Sequence, residues 1–132
     1  MSHVRKRILL VDDEELLRIV YTRLFERFGH EVIVAENGAR AWEILCRSSE
    51  VPFDLIVSDH TMFEMSGWAL LSVAKASNDT AKIDFVLWSS DDMGCIDGEE
   101  VPLRPRVEAL GARFSMKGSD EKTLRHVLRE DL

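Results

Sequence analysis

Short apolar runs and amphipathic stretches alternate along the chain. Ile8-Leu9-Leu10-Val11, Val32-Ile33-Val34-Ala35, Leu55-Ile56-Val57 and Phe85-Val86-Leu87-Trp88 contain no polar alternation. Runs of that length and composition read as strands buried on both faces, as in a parallel sheet covered by helices. Arg113 to Met116 is a shorter fifth strand. Between strands one and two, Leu16, Val20, Leu24 and Phe28 recur at helical spacing, Leu17 and Ile19 broaden the stripe, and Gly29 stands at the C′ stop. Asn37-Gly38 then turns into a helix with Ala41, Trp42, Ile44 and Leu45, closed by residues 48–52. Two further helices carry Trp68, Leu70, Leu71 and Ala74, and Leu124, Val127 and Leu128. Five alternations of strand and helix predict an α/β fold, a doubly wound five-stranded parallel sheet.

In such a sheet of order 2-1-3-4-5, ligands bind outside the carboxyl ends of strands 1 and 3, where the winding reverses. Those two ends carry Asp12-Asp13 and Asp59. Asp59 closes the run Asp54-Leu55-Ile56-Val57-Ser58-Asp59, at the end of an interior strand. An ionised carboxylate there is costly unless paired, so the position invites a metal, a cation or a covalent modification. Glu14 and Glu15 have a simpler task, complementing the positive end of the first helix. Strand 4 ends at the same rim in Ser89 and strand 5 in Lys117. Three carboxylates, a hydroxyl and an ammonium therefore converge from four strands.

Composition narrows the partners. The 132 residues suit one domain, and 45% hydrophobic with 31% charged residues is ordinary for a soluble protein. A net charge of −7 argues against a nucleic-acid surface. The apolar runs fall far short of the roughly 20 residues that span a bilayer, so no membrane partner is expected. Cys46 and Cys95 are too few for a disulfide framework, which favours free thiols in a reducing cytoplasm.

Taken in order, Asp12-Asp13, Asp59, Met62 and Gly67 in the loop after it, Ser89, Phe114 and Lys117 resemble the receiver domains of two-component response regulators. That resemblance covers nearly the whole chain and implies a flavodoxin-like (βα)5 fold. It implies that Asp59 accepts a phosphoryl group from a phosphohistidine on a sensor histidine kinase or phosphotransfer protein in a phosphorelay. Asp12, Asp13, Asp59 and the backbone carbonyl of Thr61 would hold Mg²⁺. Lys117 would offer its charge to the phosphoryl oxygens, Ser89 would donate its hydroxyl, and Phe114 would turn inward as the switch aromatic. The output would be a surface read by a downstream protein, with a homodimer left open. Residues 1–132 are expected to be a single receiver domain without an output domain, a signalling module rather than an enzyme, with autodephosphorylation at most. Two alternatives stand beside this: a degenerate receiver that binds partners without phosphorylation, and an aspartyl-phosphate phosphatase of the haloacid-dehalogenase type. The second is disfavoured because Thr61 stands where that family needs an acid.

Other conspicuous residues have plainer readings. Trp42, Trp68 and Trp88 are expected to pack, and His60, with no second histidine at ligand spacing, to be a solvated loop residue. Two positions depart from the receiver pattern: Phe63 and Gly118 stand where prolines are usual. The stretch 91–105, with Gly94, Gly98, Pro102, Pro105 and five acids, is longer than the usual connection. It leaves only 106–110 as clear helix, so the fourth helix is expected to be short, displaced or partly unwound. The same stretch is expected to be the most mobile part of the unmodified protein.

Overall fold

The computed structural model describes residues 4–47, 52–62 and 64–130. In chain order the elements are β1 (Arg7–Val11), α1 (Glu15–Arg27), β2 (Glu31–Ala35), α2 (Gly38–Arg47), β3 (Leu55–Ser58), α3 (Gly67–Ala76), β4 (Asp84–Ser89), β5 (Met93–Ile96), β6 (Glu99–Pro102), α4 (Leu103–Ala109), β7 (Arg113–Met116) and α5 (Glu121–Val127). Five strands form one parallel sheet of order β2-β1-β3-β4-β7, the arrangement expected from the sequence once the hairpin β5–β6 is set aside. Period-two geometry splits each central strand between two cores. Leu9, Val11, Ile56, Phe85 and Leu87 pack with α2, α3, α4 and the hairpin, whereas Ile8, Leu10, Leu55, Val57, Val86 and Trp88 pack with α1 and α5. Trp88 is fully buried, with Tyr21 edge-on to it at 4.6 Å between ring centroids. Trp42 and Trp68 pack at the margin of the other core.

Three local expectations change. The buried face of α1 is Leu17, Tyr21, Leu24, Phe25 and Phe28, while Leu16 is 71% exposed and Ile19 and Val20 also face outward. Tyr21 and Phe25 each continue from Leu17 and Tyr21 by one four-residue step, and their larger area takes the core side. The stretch after β4 is an antiparallel hairpin rather than a loop, with Ile96 paired to Glu99 across Asp97-Gly98. Both turn residues have positive φ, 52° and 83°, the backbone of a two-residue type I′ turn, for which Asp-Gly is well suited. The fourth helix is short, as expected, at seven residues, but it begins at Leu103 rather than Arg106. Pro105 sits inside its first turn, where a missing N–H costs nothing. Phe63 and residues 48–51 lie outside the described residues.

Candidate functional site

The sheet's hydrogen bonding runs one residue past each strand end and so fixes the rim. The Asp12 N–H donates to Ala35 O at 3.2 Å, Asp59 N–H to Val11 O at 2.9 Å and Lys117 N–H to Ser89 O at 2.8 Å. Asp12 Oδ1 accepts from the Glu14 N–H at 2.9 Å, and Arg18 Nη1 donates to Asp12 O at 2.7 Å, which ties the start of α1 to the same corner. Behind Asp59, the Gly67 N–H donates to His60 O at 2.9 Å, and Ser66 caps α3 by accepting from Ala69 N–H. A glycine is required there, since a Cβ at 67 would stand 2.1 Å from Asp59 O.

The expected acids and the expected lysine meet. Lys117 Nζ lies 2.8 Å from Asp12 Oδ2 and 3.4 Å from Asp59 Oδ1, and carboxylate oxygens of Asp12, Asp13 and Asp59 fall within 4.8 Å of one another. Asp12 and Asp59 are buried and Asp13 is exposed. Lys117 reaches them although Gly118 follows it, and the described peptide bonds are all trans. Burial pushes the Asp59 carboxyl up to about 6; the Lys117 charge opposes this and Asp12 adds to it. Burial works against the Lys117 ammonium, but its bonds and attraction to Asp12 and Asp59 outweigh that and raise its pKa. Three carboxylates against one ammonium leave two negative charges on hard oxygen donors. Such a set fits a small divalent cation such as Mg²⁺.

The raised Asp59 pKa has a measurable consequence. Its folded value lies above its unfolded value of 3.8, so the folded state holds the proton more tightly. Ionisation of this group therefore costs stability progressively as pH rises from about 4 to about 6, reaching roughly 3 kcal/mol above that window. In urea titrations without metal, Asp59→Asn should be more stable than wild type near neutral pH by up to about that amount, and the gain should vanish below about pH 4. A difference independent of pH would contradict the assignment.

The remaining sequence candidates are placed as follows. The Ser89 hydroxyl is at the rim and accepts from Asp91 N–H at 3.3 Å. Thr61 lies exposed in the loop two residues after Asp59. Phe114 is buried in the core with Ile96, Leu103 and Val107, and the Arg104 guanidinium stands 5.0 Å from its ring centre. His60 is not a solvated loop residue. It is 3% exposed, with its N–H donating to Asp59 Oδ1 at 2.8 Å and Nε2 bonded to Cys95 O at 3.0 Å. Burial lowers its pKa. Sequence reasoning missed Arg18 and Tyr21, the latter with a phenol raised by burial and close enough to feel both Lys117 and Asp12. Following the 17-21-24-28 stripe rather than the 16-20-24-28 one would have found Tyr21.

Comparison with known proteins bears on this geometry. A family model described as "Response regulator receiver domain" matches residues 8–96. The chain is 36% identical over 86 residues to the two-component response regulator ORR7 of Oryza sativa subsp. japonica, covering 65% of this chain and 40% of that protein. It thus spans under half of that relative. It is 35% identical over 121 residues to the two-component response regulator ORR3 of Oryza sativa subsp. indica, covering 83% of this chain and 91% of that protein. In three dimensions it resembles the response regulator protein TrrA from Thermotoga maritima, solved in complex with Mg²⁺-BeF, with TM-score 0.75, 22% identity, and 96% and 99% of the two chains covered.

Proposed function

We propose, for a chain that belongs to the response regulator receiver family, that Asp59 is the phosphoacceptor of a Mg²⁺-dependent switch driven by a sensor histidine kinase or phosphotransfer protein. The observation that carries this reading is Lys117 bridging Asp12 and Asp59 beside Asp13. A carboxylate oxygen of Asp59 forms the new O–P bond while the P–N bond of the donor's phosphohistidine breaks and its electron pair leaves on the imidazole. That reaction depends on position and on positive charge near the phosphoryl oxygens. Lys117 supplies a fixed charge on one side. Asp12, Asp13, Asp59 and the Thr61 carbonyl would hold Mg²⁺, which when bound would supply positive charge to the phosphoryl oxygens. At the carboxyl end of β4 the Ser89 hydroxyl turns from Asp91 N–H to donate to a phosphoryl oxygen, a charge-assisted bond of about 1.5–3 kcal/mol. Differential contact of that size shifts the packing around Phe114, and a downstream protein reads the changed surface.

Intact mass after exposure to acetyl phosphate tests the reading. Wild type should gain one phosphoryl group with Mg²⁺ and far less without it, while Asp59→Asn should gain none and stay folded. Equal modification of that variant would place the site elsewhere, and a wild type inert with Mg²⁺ would favour a receiver that binds partners without phosphorylation.

A further inference from the structure

His60 is gripped at both ends by different parts of the protein. Its main chain faces the acids through the N–H bond to Asp59 Oδ1 at 2.8 Å. Its ring faces the hairpin through the bond of 3.0 Å to Cys95 O. A carbonyl only accepts, so Nε2 carries the hydrogen, and Nδ1 is a lone pair with no partner among the described residues. Little slack remains around the ring: a Cβ on Gly94 would come within 2.7 Å of His60 Cδ2 and 2.9 Å of Leu103. The hairpin is itself anchored, with Leu103 N–H donating to Asp92 O at 2.9 Å and Met93 N–H to Asp91 Oδ1 at 3.0 Å. Its inward residues Ile96 and Val101 share a core with Leu103 and Phe114. The family match ends at Ile96, the last residue of β5, so the turn and β6 lie beyond it.

We propose that His60 is a positioning residue for the Asp59 reaction, with the β5–β6 hairpin as the clamp that holds it. The inference rests on Asp59 being the phosphoacceptor. Before transfer, the clamped N–H fixes the plane of the carboxylate, so less orientation has to be found at the moment of attack. After transfer, the carboxylate has become an acyl phosphate, whose oxygens accept hydrogen bonds from N–H groups less strongly than an ionised carboxylate. The grip on residue 60 loosens, and the change passes through the ring to Cys95. Coupling between two such sites is reciprocal, so the state of the hairpin must also set how readily Asp59 binds a phosphoryl mimic.

Three variants decide the matter. His60→Leu keeps bulk and loses the donor, His60→Gln keeps a donor, and Gly94→Ala presses on the ring from the hairpin side. Each is assayed for its rate of acetyl phosphate modification with Mg²⁺ and for amide exchange over residues 93–102 with and without beryllofluoride and Mg²⁺. In wild type the mimic should change hairpin exchange. His60→Leu should react about tenfold more slowly, short of the ~10² that a 1 Å misplacement can cost, and its hairpin should ignore the mimic. His60→Gln should restore both within about twofold. A His60→Leu protein with wild-type rate and hairpin response would overturn the inference, as would a His60→Gln protein as impaired as the leucine variant. If His60→Leu does not fold, Gly94→Ala carries the decision: a slowed rate supports the clamp, and wild-type behaviour sinks it. A wild type that gains no phosphoryl group at Asp59 overturns the parent reading and the inference together, a pattern distinct from the others.

Discussion

Lys117→Met should slow acetyl phosphate modification of Asp59 by 10²-fold or more. Methionine keeps much of the length and packing of the lysine stem and removes the charge together with the N–H donor to Asp12. Pre-aimed donors in a partly desolvated site contribute roughly 10²–10³ in rate each when deleted singly, and Lys117 is the cation that touches both buried acids. A structural loss comes with it. Asp12 is 1% exposed, and stripping the partner from a buried ion pair costs about 3–5 kcal/mol. The sign follows from the shift. The Lys117 pKa is raised above 10.5 in the folded state, so its stabilisation is complete throughout the neutral range and fades only as pH climbs through that raised value. Lys117→Arg should rescue poorly, because a planar fork does not replace a compact ammonium held between two carboxylates. Modification of Lys117→Met within about threefold of wild type would show that the transferred group does not face this lysine.

Gly67→Ala should be the most damaging single-methyl change near the site. The added Cβ would lie 2.1 Å from Asp59 O, 2.5 Å from Leu87 Cδ1 and 2.9 Å from Asp59 C. Two of these atoms are backbone, and relief requires moving either the start of α3 or the Asp59 segment itself. Alanine favours a helix over glycine by only about 1 kcal/mol, whereas overpacking typically costs 1–3 kcal/mol and more when main chain must shift. A net loss of roughly 3 kcal/mol, seen as a melting temperature lower by about 10 °C, is expected. Reactivity of Asp59 should fall as well. A melting temperature within a degree or two of wild type would mean that α3 can back away from the sheet freely.

The central strands β1, β3 and β4 were legible because they are buried on both faces, which selects unbroken apolar runs; β2 carries the same kind of run but lies at the sheet edge, half-buried and with Val34 43% exposed. Residues held at the strand ends came with them, since the topology alone carries Asp12, Asp59, Ser89 and Lys117 to one rim. Less was readable where tertiary packing decides. Leu16, Ile19 and Val20 are as apolar as the residues that α1 buries, so hydrophobicity could not choose between two stripes rotated by one position. The hairpin was hidden by its composition: Gly94, Pro102 and two acids disguise strands of four residues, although Asp97-Gly98 is the turn such a hairpin needs. His60 followed from that omission, because its burial depends on a hairpin the sequence pattern did not announce.

Closure of the site across the bond from Lys117 to Asp12 spans 105 positions of the chain. Contacts of that separation form slowly, since the closure entropy of the whole intervening loop must be met first, whereas a two-residue hairpin closes in about 1–10 μs. The β5–β6 ribbon is therefore among the earliest structures a refolding chain can acquire, and the acidic rim with its lysine is among the last. On the proposed function, reactivity toward acetyl phosphate would therefore serve as a clock for the end of folding, expected to switch on only when the edge strand β7 has docked.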